Sequence, residues 1–144
     1  MKAIRHTGIA VSNLEKSLYF YSALLELKLV KLQEEPDFYI SKLCSIPEGR
    51  ASTITAKLAV QDGNLIELIQ YESFHDRLVV KSEMHWTQTA HIAFEVDNLD
   101  KEYKRLLNSG VPFLSEPVVS PDGYAKVVFC RDPDGIFIEL VEVL

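Results

Sequence analysis

Two histidines and two glutamates carry the residue pattern most typical of a metal centre. His6 and His91 each open an apolar segment, and Glu67 and Glu139 each lie inside one, LIELI and IFIELV. An ionised carboxylate in such a segment is costly to bury unless it is paired or binds a cation. Two neutral imidazoles and two carboxylates balance the charge of a divalent ion. The sequence therefore predicts that these four side chains hold one divalent metal.

The positions of these residues follow an internal repeat. HTGIAVSNLEKSLYFY, from His6, and HIAFEVDNLDKEYKRL, from His91, share Val, Asn, Leu and Lys at equal distances after the His. DGNLIELI, from Asp62, and DGIFIELV, from Asp134, share Asp, Gly, Ile, Glu and Leu in register. Each half thus begins with a His and ends with a Glu, 61 residues later in the first half and 48 in the second. Because both matches occur in the same order, a duplicated module is indicated.

Each half is predicted to be one βαβββ module. Strands near 4–11 and 91–96 lead into helices whose apolar residues recur at helical spacing, and Ser12 and Asp97 are the predicted helix caps. Alternating residues at 54–60 predict a later strand of the first half. The extra residues of that half fit an insertion near EEPDFYISKLCSIPEGR. The predicted class is α+β, with modules at 1–72 and 90–144.

The connecting arm, residues 73–89, lacks Gly and Pro and contains Trp86, which indicates an ordered segment rather than a flexible linker. His75 and His85 lie in this arm and match nothing in the other half. We therefore expect both of these histidines at the surface.

The strand period predicts which side of each sheet carries the histidines. Residues two apart in a strand share a face, so His6 shares its face with Gly8 and Ala10, and His91 with Ala93. Small neighbours are what a strand needs where it borders a cavity. The intervening apolar residues are expected to pack against the helices.

Composition and charge exclude several classes of function. The chain has 144 residues, 47% of them hydrophobic and 25% charged, which is an ordinary globular balance. A formal net charge of −6 without a basic cluster argues against nucleic acid and anionic membranes as partners. No apolar stretch approaches the ~20 residues that span a bilayer. A cytoplasmic location is the expectation, with Cys44 and Cys130 as two free thiols, the latter on a buried strand.

A mixed set of two His and two carboxylates suits Ni, Co, Zn, Mn or Fe better than a structural zinc site rich in Cys would. Such a set leaves coordination positions open for water or substrate. This openness favours catalysis over a purely structural metal.

The two βαβββ modules, the His near the start of each, and the DPDG-x-x-I-E-L ending resemble the vicinal oxygen chelate superfamily over essentially the whole chain. Members include glyoxalase I, methylmalonyl-CoA epimerase, fosfomycin-modifying transferases, extradiol dioxygenases and bleomycin-binding proteins. The resemblance implies curved mixed sheets around a metal cavity, a small-molecule substrate, and a homodimer.

Within that superfamily the chain is most similar to glyoxalase I-like proteins, whose His, Glu, His, Glu ligand set it matches one for one. The resemblance implies a lyase or isomerase that removes a proton next to a carbonyl, with Glu139 or Glu67 as the base. Small bacterial glyoxalase I proteins carry an Arg where this chain has Ala10, which argues against a glutathione adduct. The alternatives are an epimerase, a dioxygenase, a fosfomycin-type thiol transferase, or a non-enzymatic binding protein of the bleomycin type.

Overall fold

The structure is a computed structural model that describes residues 1–61, 63–73 and 82–144. The chain divides into two compact units, Met1–Leu78 and Val79–Leu144. Asp62 and much of the predicted arm, including His75, lie outside the described residues. His85 is described and is exposed, as predicted.

The first unit contains a four-stranded mixed sheet in the order β1-β4-β3-β2, in which β1 runs parallel to β4 and the other neighbours are antiparallel. Its elements in chain order are β1 (Thr7–Ala10), α1 (Leu14–Leu18) continued by a π-helical segment (Tyr19–Leu24), β2 (Lys28–Glu35), α2 (Asp37–Cys44), β3 (Thr53–Ala59) and β4 (Leu65–Tyr71).

The second unit repeats this topology in the order β5-β8-β7-β6, with β5 parallel to β8. Its elements are β5 (His91–Glu95), α3 (Leu99–Asn108), β6 (Val118–Val119), β7 (Ala125–Arg131) and β8 (Phe137–Val143). The predicted α+β class and the duplicated module are therefore confirmed.

One face of each sheet packs against the helix of its own unit. In the first unit Leu58 and Leu68 are fully buried on this face, together with Tyr21 from the π-helical segment. In the second unit Leu140 and Leu106 make the equivalent core. The opposite face of each sheet is the one that carries Glu67 or Glu139, because these residues alternate with the buried ones along their strands.

The helix starts differ from the prediction by one residue. Asn13 and Asn98, and not Ser12 and Asp97, are the N-caps. Each Asn side chain accepts a 2.9 Å hydrogen bond from the backbone N–H three residues later. Asn is among the strongest N-cap residues because its short side chain reaches that orphan N–H.

The first strand is shorter than predicted. It begins at Thr7 rather than Ile4, and its first paired residues are Thr7 and Ile66. In this register the residues opposite Ile4 and Arg5 precede β4, which begins at Leu65. His6 therefore lies just before the strand instead of within it. Among the described residues, no helix is long and apolar enough to cross a membrane.

The insertion of the first unit contains a helix, α2, that the sequence did not predict. The carboxylate of Asp37, at its first position, accepts hydrogen bonds from the backbone N–H groups of Gly49 (2.8 Å) and Ala51 (2.5 Å). These bonds lower the pKa of Asp37 below its ordinary value. They fasten the loop after α2 to the start of the helix.

Candidate metal centre

The first predicted pair of ligands lies together in the first unit. His6 immediately precedes β1, and Glu67 lies on the adjacent parallel strand β4, directly opposite Gly8. Nε2 of His6 is 3.0 Å from Oε2 of Glu67. The side chain of His6 is 34% exposed and that of Glu67 is 13% exposed, so the carboxylate is largely desolvated. Glu67 therefore depends on its polar neighbours for stabilisation.

The second pair repeats this geometry in the second unit. His91 is the first residue of β5, and Glu139 lies on β8 opposite Ala93. Nε2 of His91 is 3.0 Å from Oε2 of Glu139, with side-chain exposures of 44% and 18%. The ring of His91 also meets Phe129 edge to face, with the ring centroids 5.4 Å apart. The sequence repeat thus corresponds to two equivalent His–Glu pairs.

The same hydrogen bond in both units connects the glutamate strand to the start of the helix of that unit. Three residues after Glu67, the side chain of Gln70 accepts a 2.6 Å hydrogen bond from the backbone N–H of Leu14. Three residues after Glu139, Glu142 accepts a 2.8 Å bond from Leu99 in the same way. Each tie satisfies an N–H that the helix itself leaves without a partner. It also fixes the glutamate strand relative to the segment that follows the histidine.

The DPDG turn fixes the start of β8, the strand of Glu139. The buried Asp132 accepts hydrogen bonds from the backbone N–H groups of Asp134 (2.9 Å) and Ile136 (2.8 Å). Gly135 has a φ of 89°, which is readily available only to glycine. This turn leads the chain into β8 in a defined register.

The two pairs differ in one neighbour that the sequence did not predict. Lys57, on β3, lies directly opposite Glu67, and its Nζ is 3.1 Å from Oε1 of that carboxylate. Phe129, on β7, occupies the equivalent place opposite Glu139. Both carboxylate oxygens of Glu67 are therefore engaged. In Glu139 the structure pairs Oε2 with His91, and no described side chain forms a salt bridge with Oε1.

The spacing within each pair is compatible with two ligands of one ion. Ligands bound at roughly 2.1 Å and at right angles to each other lie about 3.0 Å apart, the separation seen in both pairs. The same spacing suits a hydrogen bond from the imidazole to the carboxylate, which a cation would replace. No cluster of three or more His, Cys, Asp or Glu side chains suited to a metal occurs among the residues described. Each unit on its own therefore brings together two of the four predicted ligands.

The cysteines stand apart from these pairs. Cys44 is exposed and Cys130 is buried, and both are free thiols, as predicted. Burial, together with the nearby charge of Asp132, raises the pKa of Cys130 to about 12. A thiol that stays protonated is a poor nucleophile and a poor metal ligand.

Comparisons with known proteins agree with this architecture. Residues 3–140 match the model of the glyoxalase/bleomycin resistance protein/dioxygenase superfamily. The lactoylglutathione lyase of Escherichia coli O157:H7 is 24% identical over 145 residues, covering 95% of this chain and 90% of the relative. That of Haemophilus influenzae is 28% identical over 139 residues, covering 96% and 91%.

Two solved structures share the fold. A glyoxalase family protein from Bacillus cereus superposes with a TM-score of 0.86 at 19% identity, covering 100% of this chain and 95% of the other. The fosfomycin resistance protein of Listeria monocytogenes, in complex with Mn(II) and sulfate, superposes with a TM-score of 0.65 at 16% identity, covering 100% and 94%. The duplicated modules, the repeated His–Glu pairs and the family match lead to one assignment. The chain belongs to the glyoxalase/bleomycin resistance protein/dioxygenase superfamily, the vicinal oxygen chelate proteins.

Proposed function

We propose that this protein is a divalent-metal-dependent lyase or isomerase that removes a proton next to a carbonyl group of a small molecule. The observation that carries the proposal is the pair of equivalent His–Glu arrangements, each with an Nε2 to Oε2 distance of 3.0 Å. The names of the lactoylglutathione lyase relatives support the reaction class. Ala10 argues that the thiol part of the natural substrate is not glutathione.

The proposed metal is Ni, Co, Zn, Mn or Fe, with ligands His6, Glu67, His91 and Glu139. One His–Glu pair comes from a first module and the other from a second module, either of the same chain or of the two chains of a homodimer. When bound, the cation would polarise the substrate carbonyl and stabilise negative charge on its oxygen. Side chains of the protein would carry out the proton transfer.

The environments of the two glutamates favour Glu139 as the base. A ligand that also moves a proton must be free to shift, and Glu67 is held through both oxygens, by His6 and Lys57. Oε1 of Glu139 has no such salt bridge among the described side chains, and the residue paired with Glu139 on β7 is the apolar Phe129. Glu139 would take the proton from the carbon next to the carbonyl. If Glu139 then delivers this proton to the neighbouring carbon, the substrate is isomerised. If the same carbon is protonated again, on its other face, the substrate is epimerised.

A second candidate, a fosfomycin-type thiol transferase, is favoured by the structural likeness to the Listeria monocytogenes protein. It predicts that expression of this chain protects bacteria from fosfomycin. A lyase or isomerase has no such effect. A binding protein of the bleomycin type would need no metal and would show no turnover.

The proposal is tested with protein loaded with Ni, Co, Zn or Mn on a panel of hemithioacetals and acyl-CoA thioesters. Glu139→Gln should lower kcat by roughly 10²–10⁴-fold, the usual contribution of a general base. The matched control is Glu116→Gln, an exposed glutamate of the same unit, which should retain wild-type kcat. Circular dichroism would verify that both variants fold. Wild-type turnover by Glu139→Gln would end the assignment of the base.

A further inference from the structure

A row of residues crosses the sheet of the first unit on the face that carries Glu67. Gly8, Glu67, Lys57 and Lys31 lie directly opposite one another on β1, β4, β3 and β2. Directly opposite residues project to the same face of a sheet. Two lysines therefore accompany one glutamate on the side of the proposed metal centre.

The two lysines differ in what neutralises them. Nζ of Lys57 is 3.1 Å from Oε1 of Glu67, and the lysine side chain remains 23% exposed. Lys31 is exposed and forms no salt bridge with a described acid. The row thus carries an excess of positive charge. Like charges directly opposite in a sheet are destabilising, so this arrangement costs folding free energy unless an anion offsets it.

The next row on this face adds hydrogen-bonding groups but no charge. Thr55 and Gln33 lie opposite each other, and the hydroxyl of Thr55 donates to the backbone oxygen of Gln33 (3.4 Å). The side-chain amide of Gln33 donates a hydrogen bond to Glu35, two residues further along β2. The one positive charge that Glu67 leaves unbalanced in the first row is therefore not offset within these two rows.

The equivalent row of the second unit shows that the lysines are not a requirement of the module. There Ala93, Glu139 and Phe129 lie opposite one another, and the row contains no cation. The His91–Glu139 pair nevertheless has the same 3.0 Å separation as the His6–Glu67 pair. Positive charge in the first unit is thus needed neither for the fold nor for the pairing of His with Glu.

We infer that Lys57 and Lys31 bind an anionic group of the substrate, such as a carboxylate, phosphate or phosphonate, beside the carbonyl that reacts. This inference rests on the proposed function, because it places the anion at the same centre. A lysine ammonium is a compact point charge suited to such oxygens. The substrate class is accordingly an acid-bearing carbonyl compound rather than a neutral one.

The test uses two hydroxamates that share one metal-binding group. Succinic acid monohydroxamate ends in a carboxylate, and succinamide monohydroxamate ends in a neutral amide of nearly the same shape. Their dissociation constants are measured by absorbance with Co(II)-loaded protein, after cobalt uptake has been verified by elemental analysis. We expect the carboxylate to bind roughly tenfold more tightly at low salt, and the difference to shrink at about 1 M salt, where the Debye length is ~3 Å.

Three variants assign the preference to the lysines. Lys57→Met and Lys31→Met should each reduce the preference to about threefold or less, whereas Lys57→Arg should retain it. The matched control is Lys126→Met, because Lys126 pairs with Asp100 (2.7 Å) on the helix-facing side of the other sheet. That variant should leave both dissociation constants unchanged.

The outcomes separate the two proposals. Equal binding of the two hydroxamates by cobalt-loaded wild-type protein would overturn the inference and leave the metal centre standing. A preference that persists in both methionine variants would overturn it as well. Failure of the wild-type protein to take up cobalt would contradict the proposed function itself, and the inference would fall with it.

Discussion

The side-chain oxygen of Gln70 accepts a 2.6 Å hydrogen bond from the backbone N–H of Leu14, 56 residues earlier in the chain. This contact fixes the start of α1 against β4, three residues from Glu67. Glu142 and Leu99 repeat it in the second module. The two halves therefore share a device that positions the glutamate strand, in addition to the His and Glu themselves.

Removal of this tie should destabilise the fold. Gln70→Ala leaves the N–H of Leu14 without its partner and should lower the free energy of unfolding by about 1 kcal/mol, as loss of a helix cap does. Urea denaturation measures the change. Gln61→Ala, at an exposed glutamine of the same unit, should stay within ~0.5 kcal/mol of wild type. Equal stability of the two variants would show that the tie contributes nothing.

The two thiols should differ sharply in reactivity. Cys44 is exposed, whereas burial raises the pKa of Cys130 to about 12. At pH 8 the thiolate fraction of Cys130 is therefore negligible, and a thiol reagent reaches only Cys44. A colorimetric thiol assay should count one reactive thiol per native chain and two after denaturation in guanidinium. Cys44→Ser should remove the native signal. A fast second thiol in the native wild-type protein would contradict the burial of Cys130.

Much of the fold could be predicted from the sequence because the two halves share residues at equal distances from each His and around each Glu. The shared His and Glu positions predicted two modules, and the strand alternation predicted which face each residue takes. The exact ends of the helices and strands depended on which of several adjacent residues forms the cap or the first strand pair. Asn13 rather than Ser12 caps the helix, and β1 is confined to the residues that pair with β4. Neither outcome is encoded in spacing alone.

Other features required the tertiary register. Lys57 lies 10 residues before Glu67 in the chain, and only the antiparallel pairing of β3 with β4 places it opposite that carboxylate. The helix α2 lies in a segment without clear periodicity, where Asp37 gathers backbone N–H groups from the following loop. The sequence thus predicted the candidate ligands. It did not predict that Lys57 pairs with Glu67 and gives this carboxylate a different environment from that of Glu139.

Metal stoichiometry tests the central claim most directly. Protein equilibrated with excess Ni(II) or Co(II), then passed through a desalting column, is analysed for metal per chain, beside His6→Ala and His91→Ala. A centre that takes one His–Glu pair from each kind of module predicts one ion per chain in the wild type. Because both pairs serve one ion, either substitution should remove most of it. Two ions per chain, with each variant losing one, would contradict the shared centre, as would a wild-type protein that retains no metal.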